Sequence, residues 1–176
     1  MNAMGEMMLL VEPQIPGLRR YACSLLRDSV TADDLVQDCL ERAISRWHQR
    51  RADGNVRTWL FTILHNLAIN RMRQTARRGP HIPVEDADDT ALAGDPMQES
   101  GLHQRDIVDA VDRLPEDQRA VLLLISVEDM SYADAAKTLG VPLGTVMSRL
   151  SRARARLRDD LSGQGVPVTP QLRSVK

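Results

Sequence analysis

Aromatic side chains make up only 3% of the 176 residues: two Trp, two Tyr and one Phe. A core without large rings is filled by Leu, Val, Ile, Ala and Met, which suits small helical modules better than a large β-rich core. Cysteine is as scarce. Cys23 and Cys39 each fall in an apolar helical pattern with no CxxC spacing, so both read as buried free thiols. His48, His65, His81 and His103 show no metal-ligand spacing, and no metal or other cofactor is expected. A glycine-rich phosphate loop is missing, as is a nucleophile with a base partner, so the pattern is not that of an enzyme. No apolar run is long enough to cross a bilayer, and the Met-rich start, MNAMGEMMLL, lacks the basic flank of a signal peptide. The expectation is a cytoplasmic chain with no direct membrane insertion.

What is present is charge, and it is segregated. The formal net charge is −1. Arg42 to Arg78 is nevertheless heavily basic, Glu85 to Glu99 carries acids and no Lys or Arg, Asp106 to Asp134 is mainly acidic, and Arg149 to Arg158 is basic again. Two separate basic patches in a neutral chain suggest a polyanion touched at two places.

The most informative stretch is SYADAAKTLGVPLGTVMSRLSRARARLR, Ser131 to Arg158. Ser131 and Asp134 have the spacing of a capping box at the start of a short helix, Tyr132 to Leu139. Gly140 follows where a left-handed C-terminal position favours glycine, and Pro142 stands where a second helix begins. On that second helix Val146, Leu150, Ala153 and Leu157 form one narrow apolar stripe. Ser148, Ser151, Arg152 and Ala155 lie opposite, with Thr145 and Arg149 on a flank. Short side chains permit close approach to a major groove, and arginine can bond two acceptors of a guanine edge. Arg154, Arg156 and Arg158 extend the positive charge toward phosphates.

Upstream, Pro13 and Pro16 precede a helix over Gly17 to Leu26. Thr31 with Asp34 offers a capping box for a helix from Ala32 to about Trp47, whose buried face is Leu35, Val36, Cys39, Leu40, Ala43, Ile44 and Trp47. The polar run His48 to Asn55 reads as a loop. A longer helix follows from Val56 to about Arg77. Trp59, Leu60, Ile63, Leu64 and Leu67 form its buried stripe, and Thr62, His65, Ile69 and Arg73 its far side, with Asn66 and Asn70 at the margin. Gly79 to Gly101 is rich in Pro, Gly and acid and reads as a linker. Helices over Leu102 to Leu114 and Glu116 to about Val127 then support the helix-turn-helix, and Ser162 to Lys176 reads as a frayed tail. The expectation is an all-α chain: an N-terminal domain over 10–78, a linker over 79–101, a helix-turn-helix domain over 102–161 and a tail over 162–176.

The ordered pair of motifs, DDLVQDCLERAI with RTWLFTILHNLAINRMRQ and then LPEDQRAVLLLISVEDMSYADAAKTLGVPLGTVMSRLSRARARL, resembles the extracytoplasmic-function sigma factors of bacterial RNA polymerase. The likeness runs from Gly17 to Leu161. It implies that Asp34, Leu35, Val36, Gln37 and Asp38 dock on RNA polymerase core. It implies that His48, Gln49, Arg50, Arg51, Asp53 and Asn55 capture a base flipped from the upstream (−10) promoter element, and that His65, Asn66, Asn70 and Arg73 read that element. Thr145, Met147, Ser148, Arg149 and Arg152 are the implied readers of the more distant (−35) element. Met147 departs from the basic residue frequent at its place, as His65 and Asn70 depart from the more usual Arg and Asp. The resemblance also implies an anti-sigma factor as partner and a role in a stress response. The rival reading is a stand-alone helix-turn-helix repressor or activator. It would use the C-terminal domain for DNA and the N-terminal one for dimerisation or ligand sensing.

Overall fold

The computed structural model describes residues 3–50, 54–78 and 98–163. It is all α, with no strand among the described residues. The helices are α1 (Ala3–Val11), α2 (Ile15–Leu26), α3 (Ser29–Ser45), α4 (Val56–Arg78), α5 (Gln98–Asp112), α6 (Glu116–Leu122), α7 (Tyr132–Leu139) and α8 (Leu143–Gly163). Helix α5 begins inside the stretch expected to be linker, and α8 runs just past the expected start of the tail. Of the expected linker, residues 79–97 lie outside the described residues, as does 164–176 of the tail.

Local chemistry sets most of the boundaries. Helix α2 starts with Pro16 in its first turn, where no amide is lost, and ends on Arg27, whose φ of 60° is left-handed without glycine. Arg27 N–H donates to the Cys23 carbonyl at 2.8 Å, which satisfies one of the last free carbonyls. The cap of α3 differs from expectation. Asp28, not Thr31, is the N-cap: its Oδ1 accepts from the Val30 amide at 3.1 Å, and the Thr31 hydroxyl donates to its other oxygen. An aspartate one turn earlier supplies a charged acceptor, so the helix starts at Ser29 instead of Ala32. Asp33 pairs with Arg19 of α2, at 2.7 Å.

The N-terminal core forms between α2, α3 and α4. Leu18, Ala22, Leu25, Ala32, Cys39, Leu60 and Leu64 are each about fully buried, and the Tyr21 ring packs on Phe61 with centroids 5.6 Å apart. Ile44, expected in the buried face of α3, is instead half exposed at the edge of the stripe. Trp59 packs edge-on against Trp47 at 6.0 Å, in the core role expected of it. Burial pushes the Cys39 thiol up to about 12 and holds the Cys23 thiol above its ordinary value, the latter helped by nearby Asp33. Both are free thiols; Cys39 is buried as expected, whereas Cys23 is only half-buried.

In the C-terminal half the expected caps are present. Ser131 Oγ accepts from the Asp134 amide at 3.1 Å and donates to the Asp134 carboxylate at 2.7 Å. Gly140 ends α7 with φ of 63°. The stripe Val146, Leu150 and Ala153 is buried. The helix expected over Glu116 to Val127 is regular only to Leu122. It continues as a π turn over Leu123–Val127, closed by the Glu128 amide on the Leu123 carbonyl at 2.9 Å.

The two halves touch. Helix α7 lies along α4, α2 meets α6 and the π turn, and one apolar cluster runs continuously from Met7 to Ala153. Glu128 is the polar centre of this contact. Its carboxylate is fully buried and faces Arg20 of α2 at 3.1 Å and Arg57 of α4 at 2.9 Å.

Candidate nucleic-acid interface

Helix α8 presents its small, cationic side to solvent because the opposite stripe is held in the core. Met147, Ser151, Arg152, Ala155, Arg156 and Arg158 are exposed; Thr145 and Ser148 are half-buried. The Ser148 hydroxyl donates to the Thr145 carbonyl at 3.1 Å, and this back-bond sets its orientation. Arg149 is engaged within the protein: its Nε lies 3.1 Å from Asp117 of α6. Of the five expected readers of the distal element, Arg152 is thus the fully exposed cation and Arg149 a tethered one.

Helix α4 offers the second basic surface. Asn66, Asn70 and Arg73 are exposed on one side of it, with Arg71 and Arg77 nearby. His65 requires a correction. It is not on the far side of the helix but buried at 8% exposure, and its Nδ1 lies 2.9 Å from the Tyr21 hydroxyl. Burial, reinforced by the positive charge of Arg149, pushes its pKa down to about 4, so it is neutral at physiological pH. A neutral, hydrogen-bonded core histidine does not reach a base edge. The periodicity of α4 misled here because the helix is buried on two sides, by α2 and α3 on one and α7 on another.

The side of α4 that holds Asn66, Asn70 and Arg73 is exposed but borders a cleft. The other wall of the cleft is Glu116, Asp117 and Ala120 of α6, Leu139 and Val141 at the turn after α7, and Arg149 of α8. Two carboxylates thus stand across the cleft from Asn66, Asn70 and Arg73.

The expected capture loop is partly structured. Trp47–Gln49 forms a 3-10 turn with His48 and Gln49 exposed. The Arg50 guanidinium sits 4.7 Å from the Trp47 ring centre and donates to the Gly54 carbonyl at 3.1 Å. Asn55 is a helix cap, accepting from the Arg57 amide at 2.9 Å, so its side chain is committed to starting α4. Arg51 and Asp53 lie outside the described residues. On α3, Asp34, Gln37 and Asp38 are exposed, whereas Leu35 and Val36 are buried at 5% and 7% and belong to the core. Of the five residues expected to dock, Asp34, Gln37 and Asp38 are therefore the exposed ones, and the Gln37 amide donates to Glu41 at 3.1 Å.

Residues 11–65 match the Sigma2 domain of PhyR, and residues 104–157 match region 4 of Sigma-70. Over 146 residues the chain is 40% identical to the ECF RNA polymerase sigma factor EcfG of Rhodopseudomonas palustris, covering 81% of this chain and 78% of that one. The chain belongs to the extracytoplasmic-function sigma factors. The ECF sigma factor SigM of Mycobacterium tuberculosis is 38% identical over 140 residues, 80% of this chain and 69% of that one. Among solved structures, the fold resembles the sigma factor RpoE in complex with the anti-sigma factor NepR from Bartonella quintana. That match has a TM-score of 0.71 and 37% identity over 90% of this chain and 96% of that one. CnrH in complex with the cytosolic domain of CnrY matches with a TM-score of 0.65 and 26% identity, over 88% of this chain and 86% of that one.

An ECF sigma factor is a regulatory DNA-binding protein; the region 4 match contains nearly all of the basic face of α8, whereas the Sigma2 match ends at His65, just before Asn66, Asn70 and Arg73 of α4. Its sequence motifs led to both helices. What they missed was Arg20, Arg57 and Glu128, which form the polar centre between the halves. Each looks like an ordinary surface charge in sequence, and no short-range spacing links residues 71 and 108 positions apart.

Proposed function

We propose that this ECF sigma factor binds RNA polymerase core and directs initiation at a two-element promoter in a stress response, acting in the cytoplasm. The N-terminal sigma domain, 10–78, docks on polymerase through Asp34, Gln37 and Asp38 and reads the upstream element through Asn66, Asn70 and Arg73. Asparagine amides suit exposed base edges, and arginine suits phosphates. The exposed turn at His48 and Gln49, with Arg50 stacked beside it, serves base capture together with Arg51 and Asp53. The C-terminal domain, 102–161, reads the distal element through α8, with Thr145, Met147, Ser148, Arg149 and Arg152 on its groove side. The acidic stretch 79–101 joins the two.

The observation that carries this reading is the pair of separate cationic helix faces, on α8 within the matched region 4 and on α4 directly after the matched Sigma2 domain. Each is a modest contact by itself, and a large enzyme that fixes their spacing multiplies two weak affinities. An anti-sigma factor is the proposed negative regulator, supported by the complex of the similar sigma factor RpoE with the anti-sigma factor NepR. In vitro transcription with bacterial polymerase core on a promoter library tests the proposal. Transcripts from a defined two-element promoter, dependent on this chain, are expected. Tight binding to a palindrome by the chain alone, with no transcripts, would instead establish the stand-alone regulator.

A further inference from the structure

Helix α8 has fewer hydrogen-bonding groups to offer a base edge than its composition suggests. In a helix-turn-helix the N-terminal residues of the second helix reach the bases. Along the first two turns of α8 the polar side chains are largely committed. The Ser148 hydroxyl donates its proton to the Thr145 carbonyl, and both residues are half-buried. Arg149 has 26% of its side chain exposed and holds Asp117 through Nε at 3.1 Å. What stands freely in solvent there is apolar: Leu143 at 45% exposure and Met147 at 49%. Gly144 beside them is exposed too, and a β-carbon on it would meet nothing within 4 Å, so the space in front of this turn is open.

Leu143 and Met147 are one turn apart and stand on the same side of the helix, outside the buried stripe of Val146, Leu150 and Ala153. A lone exposed apolar side chain is ordinary on any surface. This pair differs because it lies inside the matched region 4, at the end of the helix that meets the bases. The major groove offers hydrogen-bond acceptors, hydrogen-bond donors and one apolar feature, the C5-methyl group of thymine. A thioether chain laid over a donor or acceptor displaces the water that satisfied it, and so loses affinity. Laid over the methyl it buries apolar surface on both sides. The unbranched, polarisable Met147 chain also adapts to the position of its target. Arg152 lies about 140° around the helix from Met147 and about 7.5 Å along it, so the two face different base pairs.

We propose that Met147, backed by Leu143 one turn earlier, selects a thymine in the distal promoter element by contact with its C5-methyl group. This role rests on the sigma-factor reading above, which puts α8 in the groove, and adds to it the base that Met147 distinguishes. Specificity of α8 is then divided: an apolar contact at one base pair and the Arg152 guanidinium at another.

Replacing thymine by uracil removes that methyl and leaves every hydrogen-bonding group of the base pair in place. The test uses holoenzyme assembled from the full chain and bacterial polymerase core, on a promoter recovered from the library. Each thymine of the distal element, on either strand, is replaced singly by deoxyuridine, and binding is read by competition against the unmodified promoter. At one thymine the parent is expected to lose about three- to fivefold in affinity, the effect of one methyl leaving an apolar contact. Met147→Gln, similar in length but polar, should bind the thymine and uracil forms equally at that position. Met147→Leu, apolar again, should restore most of the difference. Both variants change an exposed side chain, so the fold is not at stake. A uracil effect that persists in Met147→Gln comes from the DNA itself and overturns the proposal. So does a distal element with no thymine on either strand, or one in which no uracil matters to the parent. Weaker assembly of Met147→Gln with polymerase core in the absence of promoter, with no uracil effect in the parent, would show that the apolar pair docks protein instead. A parent chain that initiates at no promoter with polymerase core overturns the sigma-factor reading, and this role for Met147 with it.

Discussion

Protonation of His65 should loosen this protein, and the size of the effect follows from its surroundings. The imidazole is buried beside the Tyr21 hydroxyl of α2. It feels Arg149 from α8, while Arg73 of its own helix and Glu116 and Asp117 of α6 line the same cleft. Its folded pKa is about 4, against an ordinary value of 6.5. The folded state therefore prefers the neutral ring. Its contribution to stability is complete above pH 6.5 and is lost progressively as pH falls from 6.5 through about 4. At 1.36 kcal/mol per unit, the loss reaches about 2–3 kcal/mol by pH 4.5. Urea denaturation of the parent and of His65→Gln, followed at pH 7 and pH 4.5, isolates this group. The parent should lose about 2–3 kcal/mol more than the variant over that interval, whatever carboxylates contribute to both. Parallel losses would show that the ring is not held neutral by burial, and the account of α4 as a helix buried on two sides would fail with it.

Other substitutions probe separate parts. Ser131→Ala removes the cap of α7 and should cost about 1 kcal/mol in thermal denaturation, with Ser131→Asp close to the parent. Leu64→Ala, in the fully buried N-terminal core, should cost roughly 2–5 kcal/mol by urea denaturation. Arg152→Ala, at an exposed position of α8, should leave stability within about 0.5 kcal/mol of the parent. The same change should weaken holoenzyme binding at the distal element, which footprinting would read as lost protection there and nowhere else.

Several features of this chain are local, and the sequence alone determined them. The cap at Ser131, the left-handed Gly140 and the apolar stripe of α8 each depend on residues within a few positions of one another, so spacing suffices to place them. The same holds for the basic surfaces and for the family. Where two local options competed, spacing chose wrongly. Asp28 outcompeted Thr31 as the cap of α3 because a carboxylate is the stronger acceptor for a free amide. Leu35 and Val36 carried a docking motif and an apolar stripe together, and the stripe decided their burial.

Only the tertiary structure decided which side of α4 is open. A helix with one buried face leaves a periodic trace, but α4 is covered twice, and the second cover comes from α7, far along the chain. That is why His65 became a core residue and why Asn66, Asn70 and Arg73 border a cleft. It is also why Glu128 could not be foreseen. A lone glutamate after an apolar run carries no mark of burial. Its meaning comes from Arg20 and Arg57, which no periodicity brings to it, and from Gly17, where a β-carbon would stand 2.6 Å from its Oε2.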